Sequence, residues 1–210
     1  MKFKKLKLSA VAAAVLAGSS FVTTAAHAEI SASVGVANKY LWRGVDLGQG
    51  DAAVSGQIDY STAGFYTGVW ASSGDAELGS EYDYFIGYGG AAGGFSYDVS
   101  YWTYIYPSSD IDFGDAADLV ISLGFAGVGL TVFENLEDDG AGARYINLGY
   151  SFDKYGISIG QHDTGEITSE HIQLDYSYND NLSFAASKFL DDDLFDDDVQ
   201  FLVSYSVPLK

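Results

Sequence analysis

Carboxylates are the residues in this sequence whose spacing most clearly invites chemistry. Asp59, Asp83, Asp98 and Asp175 each stand on the polar face of a segment in which apolar and polar residues alternate, with Gln57, Asn147, Gln173 and Gln200 on equivalent faces. Lys39 and Arg43 are the cations on the corresponding face of the first such segment. If that face lines a lumen, a wall with more carboxylates than basic groups lowers the energy of cations inside and excludes anions. A guanidinium in such a lumen finds a carboxylate to grip, with two hydrogen bonds where geometry allows. The expectation for Arg43 is therefore a structural ion pair fixing the first external loop to the wall, with a constriction or selectivity role as the alternative.

Other constellations carry less. His162 and His171 flank one loop at the ends of adjacent segments, with Asp163, Glu166 and Glu170 near them. Two imidazoles and a carboxylate form a transition-metal donor set, yet no motif spacing marks one here, and polar loop residues are the expectation. The run Asp191-Asp192-Asp193-Leu194-Phe195-Asp196-Asp197-Asp198 lacks the glycine and spaced ligands of an EF-hand loop. It reads as a solvated, self-repelling external loop, with loose Ca²⁺ or Mg²⁺ binding toward lipopolysaccharide phosphates left open. A hydrolase needs nucleophile, base and orienter in contact. Ser169 beside the histidines supplies parts, but nothing resembles a nucleophile elbow. Gly87–Gly94 lacks the strand-to-helix context and the lysine of a phosphate cradle. No catalytic residue, metal or cofactor is expected.

The elements that must position these residues alternate with period two, in segments of about ten residues, the length a tilted strand needs to cross a bilayer. Twelve such segments lie near 30–43, 52–61, 64–73, 81–90, 93–106, 117–126, 127–135, 143–152, 155–162, 170–178, 181–189 and 198–207. Tight connections at Ser61-Thr62-Ala63-Gly64, Gly90-Ala91-Ala92-Gly93, Ala126-Gly127, Asp153-Lys154 and Asn179-Asp180 alternate with longer polar stretches. Short turns, longer loops and an even strand count together are the pattern of an outer-membrane barrel. Aromatics gather at the turn ends (Tyr60, Phe65, Tyr88, Phe95, Phe152, Tyr155, Tyr178) and at the loop ends (Tyr40, Trp42, Tyr82, Tyr101), as two headgroup-level girdles would. A soluble barrel or sandwich alternates too, but points its apolar face inward. Bulky inward candidates (Tyr66, Trp70, Phe85, Trp102, Tyr104) would fill much of a twelve-strand lumen.

Residues 1–28 have the three parts of a secretory signal: Lys2, Lys4, Lys5 and Lys7, an apolar run, and Ala26-His27-Ala28 as an A-x-A exit. The barrel then occupies 29–210. The chain carries a formal charge of −19, and four of its ten basic residues lie in the signal, so nucleic-acid binding through a basic patch is excluded. With no cysteine, the fold is held without disulfides.

The segments Tyr40-Leu41-Trp42-Arg43-Gly44, Gly64-Phe65-Tyr66-Thr67-Gly68-Val69-Trp70, Glu81-Tyr82-Asp83-Tyr84 with Gly87-Tyr88, and Phe95–Tyr101 running to Tyr106-Pro107 resemble the TorF family of proposed Gram-negative porins. The resemblance covers about the first half of the chain after the signal. It implies an outer-membrane barrel with a pore role and supplies no catalytic or ligand-binding residues. The end of the chain, Pro208-Leu209-Lys210, departs from the terminal aromatic usual in such barrels. The combined expectation is an all-β, transmembrane, antiparallel up-and-down barrel of twelve strands in a bacterial outer membrane. Its function would be passive diffusion of small solutes with a preference for cations, and its surroundings lipid and lipopolysaccharide. A closed structural or adhesive barrel is the alternative, and a lipid-modifying enzyme a more distant one. Oligomeric state is left open.

Overall fold

A computed structural model describes residues 28–136, 143–191 and 194–209. The signal-peptide reading (apart from Ala28), most of the loop after Leu136, and Asp192-Asp193 lie outside the described residues. The strands are β1 (Glu29–Ala37), β2 (Leu41–Trp42), β3 (Val45–Asp46), β4 (Ala53–Thr62), β5 (Phe65–Asp75), β6 (Gly79–Ala92), β7 (Phe95–Tyr106), β8 (Ile111–Phe125), β9 (Val128–Asn135), β10 (Arg144–Phe152), β11 (Tyr155–Asp163), β12 (Thr168–Ser177), β13 (Leu182–Phe189) and β14 (Gln200–Leu209). All but β2 and β3 form one closed antiparallel barrel in which chain neighbours are spatial neighbours. Among the described residues it has the expected twelve strands, closed where β1 pairs with β14 on one side and β4 on the other.

One end carries tight turns. Ala63-Gly64, Gly93-Gly94 and Ala126-Gly127 all have positive φ at both residues, the conformation whose twist matches that of the flanking strands. Every second side chain points out. Ile58, Ile86, Val99, Ile121, Leu148, Ile159, Leu174 and Val203 are exposed, so the outer face is a closed apolar belt. Tyr88, Phe95, Phe125, Phe152 and Tyr155 rim it at the turn end.

The inner face is lopsided. On one side Tyr66, Phe85, Trp102, Val120, Phe133 and Tyr145 pack together with Trp70 and Tyr104, and Phe85 stacks on Trp102 at 4.4 Å between ring centroids. On the other side, β1, β4, β13 and β14 present mainly small residues: Ser33, Gly35, Ser55, Ser183, Ser204 and Ser206.

Three expectations are corrected. The first segment does not run from 30 to 43: β1 ends at Ala37, and the chain turns into the lumen. The side chain of Asn38 makes that turn possible. Its amide donates to the Phe201 carbonyl at 3.0 Å and accepts from the Val203 N–H at 2.6 Å, while its own N–H donates to the Val203 carbonyl at 3.1 Å. The amide thus continues the ladder beyond the backbone. In consequence Lys39 and Arg43 belong to a loop and not to strand one, and Tyr40 and Trp42 point inward, outside any girdle. Thirdly, β8 begins at Ile111, six residues before its expected start, because the β7–β8 hairpin continues past a register shift between Tyr104 and Tyr106. Residues 111–116 are too polar for alternation to reveal a strand.

Candidate functional site in the barrel lumen

The loop after β1 folds back as a two-residue hairpin, with Leu41 opposite Asp46 and Trp42 opposite Val45. Its turn is Arg43-Gly44, at φ 49° and 87°. A non-glycine residue in the left-handed region costs about 1–2 kcal/mol, so the contacts of Arg43 must hold it there. Gly44 is required by space as well as by φ, since an added Cβ would stand 2.8 Å from His171 Cγ. Leu41 is 1% exposed and packs on Ala185 and Leu202. At the hairpin's base, Lys39 Nζ reaches Asp46 at 3.0 Å and Gln200 Oε1 at 2.6 Å.

Arg43 is the hub. Its Nη2 donates to Asp118 Oδ2 at 2.6 Å, and the Tyr104 hydroxyl donates to the same oxygen at 2.9 Å. The guanidinium carbon lies 3.9 Å from the Phe133 ring centroid, 4.2 Å from that of Trp42 and 5.3 Å from that of Tyr145. His162 Nε2 donates to the Arg43 carbonyl at 2.8 Å. His171 meets the Tyr145 hydroxyl through Nε2 at 2.8 Å and Ser187 Oγ through Nδ1 at 3.2 Å. The two imidazoles are 6.1 Å apart between centroids, each committed to different partners.

The sequence-predicted carboxylates separate into two levels. Asp59, Asp98 and Asp175 lie toward the short-turn end. Asp59 accepts from Ser31 at 3.0 Å and Gln57 at 2.6 Å. Asp98 accepts from the Tyr66 hydroxyl at 2.9 Å, and Asp175 from Gln173 at 2.8 Å. Asp83 lies at the level of the hairpin, 5% exposed, and its Oδ1 has no hydrogen-bond partner. Sequence reasoning missed its two companions there, Glu81 and Asp118, which are 2% and 4% exposed. Each is two residues from an inward position, Asp83 and Val120 respectively, so extending the alternation one step would have found both. Glu81 accepts from the hydroxyls of Tyr40 and, at 2.7 Å, Tyr106. Burial and then the Glu81 charge push the Tyr40 phenol up, so it remains a donor.

Between the hairpin and the serine wall lies a cavity of about 130 Å³. Ser33, Ser55, Ser204 and Ser206 border it on one side, and Trp42, Trp70, Trp102, Tyr104 and Asp83 on the other. At the loop end, Phe195 packs against Phe189 and His162 at 4.8 and 4.9 Å between centroids. Asp196, Asp197 and Asp198 are exposed and close together, and Lys188 pairs with Asp197 at 2.9 Å.

Residues 22–197 match the model of a bacterial protein family of unknown function, Gcw_chp. That description does not carry the TorF name, which stands as a resemblance. No curated protein matches the sequence. Among solved structures, the chain is similar to outer membrane phospholipase A from Escherichia coli, at 12% identity over 86% of this chain and 90% of that one, with a TM-score of 0.43. It is also similar to the KdgM porin in complex with disordered oligogalacturonate, at 9% identity over 87% and 99%, with a TM-score of 0.46. A mutant of the Rh. blastica porin matches at 14% identity over 74% of this chain and 55% of that one, with a TM-score of 0.40.

Proposed function

The chain belongs to the bacterial Gcw_chp family, and from its barrel geometry we propose that it is an outer-membrane channel, narrow and cation-preferring, for small solutes. The observation that carries this reading is the cavity along the serine wall, beside an inserted hairpin and inside a barrel with an apolar exterior. A closed belt of exposed apolar side chains is far larger than a soluble monomer tolerates, and lipid is the surface it suits. The secretory signal pattern of residues 1–28 supports the same destination. Lipid and lipopolysaccharide are then its surroundings, and no nucleic acid is a partner.

The cation preference rests on charge. Among the described residues, Asp59, Glu81, Asp83, Asp98, Asp118 and Asp175 face inward, against Lys39 and Arg43 from the hairpin. Rings of carboxylates favour cations in a low-dielectric pore. A hydrolase is a poorer reading, because Ser187 and His171 are 1% and 0% exposed on the inner face, away from the surface that meets acyl chains. One observation favours a closed structural barrel instead: the aromatic cluster and the hairpin fill the side of the lumen opposite the serines.

Planar-bilayer recording across a KCl gradient tests the proposal. Small conductance steps with a reversal potential toward that of potassium are expected. A reversal potential toward chloride would overturn the cation preference, and the absence of steps at any voltage would overturn the channel in favour of the closed barrel.

A further inference from the structure

We propose that Asp83 anchors a binding site, inside the barrel, for a small organic cation bearing an ammonium group. This rests on the reading of the lumen as reachable by solutes, and names what one position in it recognises.

The placement follows from register. On adjacent strands β5, β6 and β7, Trp70, Asp83 and Tyr104 lie directly opposite one another and all face inward. The result is a carboxylate flanked by an indole and a phenol. Asp83 borders the 130 Å³ cavity together with both flanking residues and with Trp42 and Trp102. Ring faces attract cations, most strongly where water is excluded.

Asp83 meets the side chain of Glu81, a second carboxylate, and has no cation paired with it among the described residues. Both oxygens of Glu81 are taken by the hydroxyls of Tyr40 and Tyr106. The guanidinium of Arg43 is committed to Asp118 at 2.6 Å. Three carboxylates therefore share one guanidinium at this level, and Asp83 Oδ1 is buried without a donor. Ser204 Oγ, which borders the same cavity, is also buried without a partner. A buried acceptor left without a donor is costly, and a charged donor satisfies it best. An ammonium group supplies an N–H for Oδ1, and its carbon substituents lie on the rings. A bare metal cation would gain the carboxylate but would use the rings poorly.

The chain contains three tryptophans, Trp42, Trp70 and Trp102, and all three border the cavity. Tryptophan emission of the folded barrel thus reports on this site alone. The test is equilibrium dialysis of radiolabelled ethylammonium against the signal-free barrel folded in detergent, with emission as a second readout. Saturable one-site uptake is expected, accompanied by an emission change. Asp83→Asn should weaken it about tenfold or more, as loss of a charged hydrogen bond does. Asp153→Asn, in the turn between β10 and β11, removes a charge outside the lumen and should leave uptake unchanged. Heat-modifiable gel mobility verifies that each variant is folded. Should Asp83→Asn fail to fold, Trp70→Leu removes one ring wall and no charge, and the same weakening is expected. Absence of saturable uptake by the wild type, undiminished uptake by Asp83→Asn or by Trp70→Leu in its place, or displacement by potassium at equal concentration would each overturn the site. The measurement does not require conduction. Uptake without channel steps would sink the channel and keep the site, and steps without uptake would do the reverse.

Discussion

A guanidinium held among rings cannot shed its charge, so Arg43 must be neutralised where it lies, and Asp118 does so through an oxygen that also accepts from Tyr104. Both side chains are nearly enclosed, at 11% and 6% exposure. Removing one member of a buried pair leaves the other charge without compensation, at a cost of about 3–5 kcal/mol. Arg43→Ala is therefore expected to lower the urea midpoint of unfolding markedly. The double change Arg43→Met with Asp118→Leu should recover most of that loss, since a buried pair replaced by apolar groups of similar volume is close to neutral. Equal midpoints for the single and double variants would contradict the pairing. Half of this arrangement was legible beforehand. An arginine next to glycine on a carboxylate-lined face asks for an ion pair, but its partner is 75 residues away, across the lumen. No local pattern distinguishes Asp118 from the other inward carboxylates.

At the scale of elements, the inserted hairpin is the part that decides how wide the lumen is. Ala37 and Ala53 are cross-strand partners in register, so a two-residue Asn-Gly turn is able to replace residues 38–52 without disturbing β1 or β4. Such a variant should fold and show conductance several-fold above the wild type in single-channel recording. Unchanged conductance would mean that the path does not pass the hairpin. The twelve strands were legible because turn chemistry punctuates them: a glycine at positive φ closes hairpins at Gly64, Gly94 and Gly127. The hairpin was not legible, because alternation continues unbroken from β1 through Lys39 and Arg43. The chain departs from the wall at Asn38 through side-chain hydrogen bonds, which periodicity does not record. The polar start of β8 was lost for a related reason: the apolar face fades there, and with it the signal.

For the molecule as a whole, the belt and the lumen make opposite demands on successive residues. Leu148 is 48% exposed on the outside, and Asn147 beside it is 6% exposed within. An arginine on the lipid face costs about 2–4 kcal/mol at the bilayer midplane and about 0–1 kcal/mol near the interfaces. Leu148→Arg should thus impair folding into lipid vesicles by the larger amount, and Tyr155→Arg, at the turn-end rim, by the smaller. Equal effects, read from the denaturant dependence of folding, would be inconsistent with a membrane-spanning belt. Closure of the same belt raises a different problem. Slipping the last strand by one residue would turn every side chain to the wrong face, but a slip by two preserves the faces and is invisible to the inside–outside pattern. It would still change the shear, and with it strand tilt and barrel diameter. Backbone bonds such as those of Asn38 repeat every two residues and miss the slip, but side chains sense it: a two-residue slip would take Gln200 from Lys39 and Leu202 from Leu41. Lys39 and Leu41, folded in from the first loop, thus serve as the length standard by which the barrel sets its own calibre.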